Sequence, residues 1–263
     1  MQSLKVLLTC WKNSLRAFHD NKFIMKTGAV IFSRNSSTRL PGKALIDISG
    51  RCLLGRVIDR TKEIKGIVDI IVATSTDKED DQIVDFAERE NVNVYRGSLK
   101  DVASRALDSC LKFNLDKFVR ICGDRPFFSP KLISDLIELS NNSNFEIITT
   151  TFPRTYPPGL TCEILKTKIL KDSINLIKNT DDKEHVTSYF YKHSDKFLIK
   201  NISPNEDLNF DGINLCVDTQ KDLERAVWIA NEIDKKELSY DNIPNIIELA
   251  HEWEENFSRL GKD

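Results

Sequence analysis

The chain becomes regular at residue 29. From there short apolar runs alternate with longer stretches in which apolar residues recur every three or four positions. The runs 29–32, 68–73, 92–95, 117–122 and 145–150 are too short for helices and predict strands. Between them, 52–64 places Leu54, Val57, Ile58 and Thr61 on one side of a helix, and 78–90 does the same with Ile83, Val84, Phe86 and Ala87. Residues 101–113 predict a third helix. Ser129-Pro130 opens a fourth, with serine as N-cap and proline in the first turn. Strands and helices in alternation predict an α/β protein with a mostly parallel central sheet and helices on both faces. Such sheets bind ligands beyond the carboxyl ends of their strands.

The second half is less regular. Residues 153–159 (PRTYPPG) form a stiff loop that no helix interior can hold. Residues 166–177 and 182–191 predict helices, and 197–202 and 213–217 predict strands. Asp218-Thr219 caps a helix over 220–233, and a last helix covers 243–259. With neither repeat nor low-complexity linker, 25–263 reads as one continuous domain. Residues 1–24 are basic, with Lys5, Lys12, Arg16 and Lys22 against Asp20. Their apolar centre, Val6-Leu7-Leu8, is too short for a secretory core. The segment reads as a loose arm or an upstream start, because Met25-Lys26-Thr27 directly precedes the first strand.

Bulk composition narrows the function classes. The 263 residues carry a net charge of −2, so there is no global field to attract nucleic acid or an anionic membrane, and any basic site must be local. No apolar run reaches the length of a membrane span. Six cysteines without a C-x-x-C pair and only four histidines argue against a cysteine zinc site. They read as buried thiols in a reducing compartment, which places the protein in the cytoplasm.

Chemistry first shows in residues 33–43, SRNSSTRLPGK, at the end of the first strand. Small side chains let backbone N–H groups approach an anion, arginine offers a planar fork, and lysine a mobile point charge. The run is not a Walker A loop: position 37 is serine rather than glycine, and Ala44 follows Lys43 where a hydroxyl is required. The bland alternative is a solvated turn. Asp124 follows the strand KFVRIC and reads either as a magnesium ligand or as an Asx turn. Asp218 follows another apolar run and reads either as a second ligand or as a helix N-cap. Two carboxylates and a basic loop at strand ends are what a magnesium–nucleoside triphosphate site requires.

The ordered set SSTRLPGKAL, IVATS, VYRGSLKDV, VRICGDRPF, EHVT and VDTQKDLE resembles the cytidylyltransferases of the spore-coat polysaccharide biosynthesis protein F type, relatives of 3-deoxy-manno-octulosonate and acylneuraminate cytidylyltransferases. The resemblance covers residues 28–235. It implies a Rossmann-like, nucleotide-diphospho-sugar transferase (GT-A) fold, and transfer of CMP from CTP to a sugar acid or related acceptor with release of pyrophosphate. It implies a homodimer. It places Arg34 and Lys43 on the triphosphate, and magnesium on Asp124 and Asp218. Ser33, Ser37, Arg39 and Gly42 would line the nucleotide loop. Thr74, Ser75 and Asp77 would lie by the base and ribose, with Arg120 before the Gly-Asp turn.

The chain departs from the family pattern in three places. Relatives read Gln-Ala-Arg where this chain has Phe32-Ser33-Arg34, and Gly-Asp-Cys-Pro where it has Arg125. They read Gly-Leu-Asp-x-Glu where it has Gly159-Leu160-Thr161-Cys162-Glu163. The last change bears on the acceptor, for which the candidates are Arg154, Tyr156, Gly159, Glu163, Glu184 and His185. Arg154 offers a bidentate clamp for a carboxylate, against a solvated-surface alternative. His185 reads equally as a packed histidine, and Tyr156, Phe127 and Phe128 as wall or core. Two other functions stay open: a glycosyltransferase of the same fold, although Asp124 lacks the second acid of an Asp-x-Asp, and a nucleotide-binding scaffold without turnover.

Overall fold

The computed structural model describes residues 25–205 and 207–260; the reading of 1–24 given above lies outside them. Nine strands are described. Seven form the central sheet: β1 (Thr27–Phe32), β4 (Asp69–Ser75), β5 (Asn93–Gly97), β6 (Lys117–Cys122), β7 (Ile147–Thr149), β8 (Glu163–Lys166) and β9 (Ile199–Asn201). Their order is β5-β4-β1-β6-β8-β7-β9. All pairings are parallel except those of β8, which runs antiparallel to both β6 and β7. A two-strand ribbon, β2 (Asp47–Ile48) and β3 (Arg51–Cys52), stands apart.

The predicted helices form with small shifts. They are α1 (Leu53–Lys62), α2 (Asp81–Arg89), α3 (Val102–Lys112), α4 (Pro130–Asn141), α5 (Thr167–Ser173), α6 (Thr180–Glu184), α7 (Ser188–Lys192), α8 (Gln220–Lys235) and α9 (Ile243–Leu260). Ser129 caps α4 by accepting from the Leu132 N–H, with Pro130 at its first turn. The period-2 rule sorts the sheet's side chains. Ala29 and Ile31 of β1 join α1, α2 and α4 in one core, whereas Val30 joins α3, α5 and α7 in the other. A third cluster packs α8 and α9 against Leu40, Phe127, Leu160, Ile213, Leu215 and Val217, directly beneath the loops that end β1 and β6.

Three local expectations are corrected. Residues 213–217 are extended but join no sheet. Their N–H groups bond to loop carbonyls, Leu215 to Pro158 and Val217 to Asp124, while Ile213, Leu215 and Val217 fill the third core. The alternation was real, but the partner was a loop rather than a strand. The helix over 182–191 is broken at His185, whose backbone (φ −105°, ψ 83°) ends α6. Strand β8 was unforeseen because it opens on Glu163, a charge that masks a buried strand.

Topology places the site. The chain steps outward from β1 through β4 to β5, then returns to pair β6 on the other side of β1. The reversal leaves a crevice beyond the carboxyl ends of β1 and β6. Gly123 keeps it tight: its N–H bonds Phe32 O at 2.8 Å, and a Cβ there would lie 2.9 Å from Ser33 Cβ.

Candidate active site

A cavity of about 500 Å³ occupies that crevice. Its wall begins with the 33–43 loop, which the backbone closes on itself: Asn35 O accepts from the N–H groups of Ser37 and Gly42 at 2.8 and 3.2 Å. Ser37 Oγ accepts from Leu40 N–H. Gly42 takes the left-handed conformation (φ 70°), which turns the chain into the short 3₁₀ segment starting at Lys43. The Lys43 ammonium is thereby carried to the end of β6. It donates to Asp218 Oδ1 at 2.7 Å, Val217 O at 2.8 Å and Asp124 Oδ2 at 3.3 Å. Arg39 reaches the other oxygen of Asp218 at 3.0 Å.

Both bland readings of these acids are excluded. Thr219, not Asp218, is the N-cap of α8, closing a reciprocal capping box with Asp222. Asp124 makes no Asx turn: one oxygen accepts from Lys43, and the other is buried without a partner. Burial alone would raise the Asp218 carboxyl, but hydrogen bonding and charge from Lys43, then from Arg39, hold it below the usual carboxylate range.

The donor set fits a hard divalent cation. Asp124 and Asp218 touch the same ammonium group, one Asp124 oxygen is uncommitted, and no sulfur or imidazole is needed. Among the described residues no cluster of three or more His, Cys, Asp or Glu forms a self-sufficient metal cage. Two carboxylates therefore leave the remaining positions to phosphate oxygens and water, the usual arrangement for magnesium with a nucleotide.

Six cations line the cavity: Arg34, Arg39, Lys43, Arg105, Arg120 and Arg125. Only Asp124, Glu184 and Asp218 oppose them as carboxylates, so the space favours a polyanion. Arg34 forms a fork with Glu184 at 2.7 and 3.4 Å. His185 is exposed, 3.8 Å from Asp181.

Other named residues sit elsewhere. Thr74 and Ser75 are fully buried at the end of β4, and Asp77 is exposed beyond it. None of the three lines the cavity. They share a brace through Asp80, which accepts from the N–H groups of Asn35 (2.7 Å) and Ser75 (3.0 Å) and so ties the basic loop to β4. Burial pushes the Asp80 carboxyl up, but these N–H donors outweigh it and hold it below the usual range.

A second cavity of about 480 Å³ adjoins the first, and Arg120, Arg125 and His185 line both. Arg154 and Glu163 also line it. Glu163, 2% exposed, accepts from Arg120 at 2.6 Å and from the Tyr191 hydroxyl at 2.6 Å. Burial would raise its carboxyl, but Arg120 and Tyr191 hold it low, while burial and Glu163 drive the Tyr191 phenol upward. Tyr156 and Gly159 line neither cavity. Tyr156, Phe127 and Phe128 are core residues, and Gly159 (φ 98°) packs so closely on Leu215 that a Cβ would lie 2.6 Å from its backbone.

Sequence reading passed over Arg105 and Asp80. Arg105 is 2% exposed, and burial pushes its guanidinium down to about 10. Its signal was positional: a charge on the apolar face of α3, in line with Val102, Ala106 and Ser109. Asp80 gave none, because acids in the first turn of a helix are ordinary.

Residues 29–244 match a protein-family model described as cytidylyltransferase. The chain is 35% identical over 210 residues to an uncharacterised protein, MJ1063, of Methanocaldococcus jannaschii, covering 80% of this chain and 85% of that one. It is 27% identical over 201 residues to the spore coat polysaccharide biosynthesis protein SpsF of Bacillus subtilis, covering 74% and 82%. A solved cytidylyltransferase of Leptospira borgpetersenii superposes with a TM-score of 0.78 at 28% identity, over 89% of this chain and 96% of that one.

Proposed function

The chain belongs to the cytidylyltransferase family and is a nucleotidyltransferase, and from that premise we propose that it transfers CMP from CTP to an anionic sugar acceptor, a sugar acid or a phosphorylated relative, releasing pyrophosphate. The observation that carries the reading is the Lys43 ammonium held between Asp124 and Asp218 at the mouth of a cation-lined crevice. The acceptor oxygen attacks the α-phosphorus while the bond to the β-phosphate oxygen breaks. Lys43 and Arg34 stabilise charge growing on the leaving pyrophosphate, and Ser33, Ser37, Arg39 and Gly42 shape the loop around the nucleotide. Thr74, Ser75 and Asp77 line no part of the crevice and act at a distance, through the Asp80 brace that fixes the basic loop on β4.

Magnesium would be held by Asp124 and Asp218, and when bound supplies charge neutralisation for the phosphate oxygens. The acceptor would occupy the adjoining cavity, with Arg154 and His185 on its rim and the Arg120–Glu163 pair in its wall. Glu184 would pass Arg34 to the phosphates on substrate binding. The relative in Bacillus subtilis is named for polysaccharide biosynthesis, and supply of a polysaccharide precursor is the role this reading suggests; the cytoplasm and a homodimer stay part of the proposal. No helix among the described residues is long and apolar enough to cross a membrane.

The test is pyrophosphate release. The protein is incubated with magnesium, each of CTP, UTP, ATP and GTP, and a panel of sugar acids and sugar phosphates. Acceptor-dependent release with CTP, abolished by EDTA, is the expected result. Transfer of sugar from a nucleotide sugar, without pyrophosphate, would replace this reading with the glycosyltransferase one.

A further inference from the structure

Four arginine or lysine side chains line the second cavity, and two of them lack a salt bridge among the described residues. Arg120 is paired with Glu163, and Lys192 with Asp181 and Asp182. Arg125 and Arg154 form no salt bridge with any described residue. Arg125 donates through one terminal nitrogen to Thr161 Oγ1 at 2.8 Å and Thr161 O at 3.3 Å. Its Nε is buried without a partner, a donor left unsatisfied beside the cavity. Burial opposes the charge on this guanidinium, Asp124 and Glu163 nearby favour it, and an anion bound directly against it would add to that favourable field. Arg125 also lines the nucleotide crevice and follows Asp124 directly. Arg125 therefore stands at the junction of the two cavities.

The Arg125 and Thr161 side chains are in hydrogen-bond contact, so the partner that holds the guanidinium in place brings no negative charge to this wall of the cavity.

We propose that the acceptor carries a phosphate monoester, and that Arg125 together with Arg154 is the pair that selects it over a plain sugar carboxylate. The proposal rests on the nucleotidyl-transfer reading. A phosphate monoester carries about −1.5 to −2 charges near neutral pH, against one for a carboxylate, and two guanidinium groups without salt bridges to described residues favour the larger charge. Its three terminal oxygens also offer acceptors in more than one direction, toward Arg125 and toward the exposed Arg154 in the same cavity.

Titration of the full-length protein already saturated with CTP and magnesium tests this, with inorganic phosphate as the probe and N-acetylneuraminate as the carboxylate arm. Saturable phosphate binding, stronger than that of the sugar acid, is expected. Arg125→Cys should weaken it by roughly 10–100-fold, as should Arg154→Ala, and Arg125→Lys should weaken it less. Melting curves report folding, and Arg154→Ala, at an exposed position, decides the matter if Arg125→Cys does not fold. Absence of phosphate binding to the CTP-loaded protein, equal binding in the variants, or tighter binding of the sugar acid each overturns the proposal. Failure of CTP itself to bind, read in the preceding saturation step, instead refutes the nucleotidyl-transfer reading.

Discussion

Replacing Lys43 by alanine removes an ammonium group that touches Asp124, Asp218 and the Val217 carbonyl, at 2.7 to 3.3 Å. Two costs follow, and their sizes differ. The Lys43 side chain is 14% exposed and its carboxylate partners 25% and 26%, so solvent screens the pairs. Arg39 also remains on Asp218. The stability loss should be about 1–2 kcal/mol, less than the sum expected for fully buried charged hydrogen bonds. In the transition state the same ammonium faces developing pyrophosphate charge, and loss of one preorganised donor costs about 3–4 kcal/mol, or roughly 10²–10³ in turnover. The assay is pyrophosphate release at saturating CTP, paired with a melting curve.

A pH series adds a second readout. Lys43 helps hold the Asp218 carboxyl low, so its stabilising effect is complete above the ordinary carboxylate value of about 4 and is lost as pH falls through the depressed folded value. The gap in melting temperature between wild type and variant should accordingly narrow in acid. Wild-type turnover in a folded Lys43→Ala protein would refute the reasoning. So would a collapse of the fold at neutral pH, which would make Lys43 a structural residue.

Other outcomes follow from the same geometry. Asp124→Asn keeps the shape but removes an uncommitted carboxylate oxygen, so magnesium-dependent thermal stabilisation by CTP should disappear while the melting point without nucleotide moves little. Asp80→Ala strips the acceptor from two N–H groups that join the basic loop to β4, costing about 2–4 kcal/mol and raising the KM for CTP; steady-state kinetics and urea unfolding check both. Glu163→Gln breaks a buried pair and leaves Arg120 uncompensated, at about 3–5 kcal/mol by denaturant titration, whereas Tyr191→Phe should cost only about 1 kcal/mol.

Much of this protein is written locally. Short apolar runs and period-3.6 patterns marked the alternating α/β order, because strands of a parallel sheet are buried on both faces and the helices that cover them on one. Small residues, arginines and Gly-Lys marked the loop after β1, since those residue types are what a phosphate-binding turn requires. The strand-end position of Asp124 was equally plain, whereas Asp218 ends a segment that joins no sheet. What no local pattern held was contact between distant segments. Strand β8 enters the sheet on a buried glutamate whose counter-charge, Arg120, lies 43 positions away, and residues 213–217 use strand-like alternation to pack on a loop. Asp80 looked like an ordinary helix-start acid until folding set two backbone donors against it. Arg125 and Thr161 became one feature only when β6 and the start of β8 were brought side by side. Sequence determines what each segment can bury and which charges it carries; compensation of charge is a pairwise, through-space property, and only the tertiary arrangement decides it.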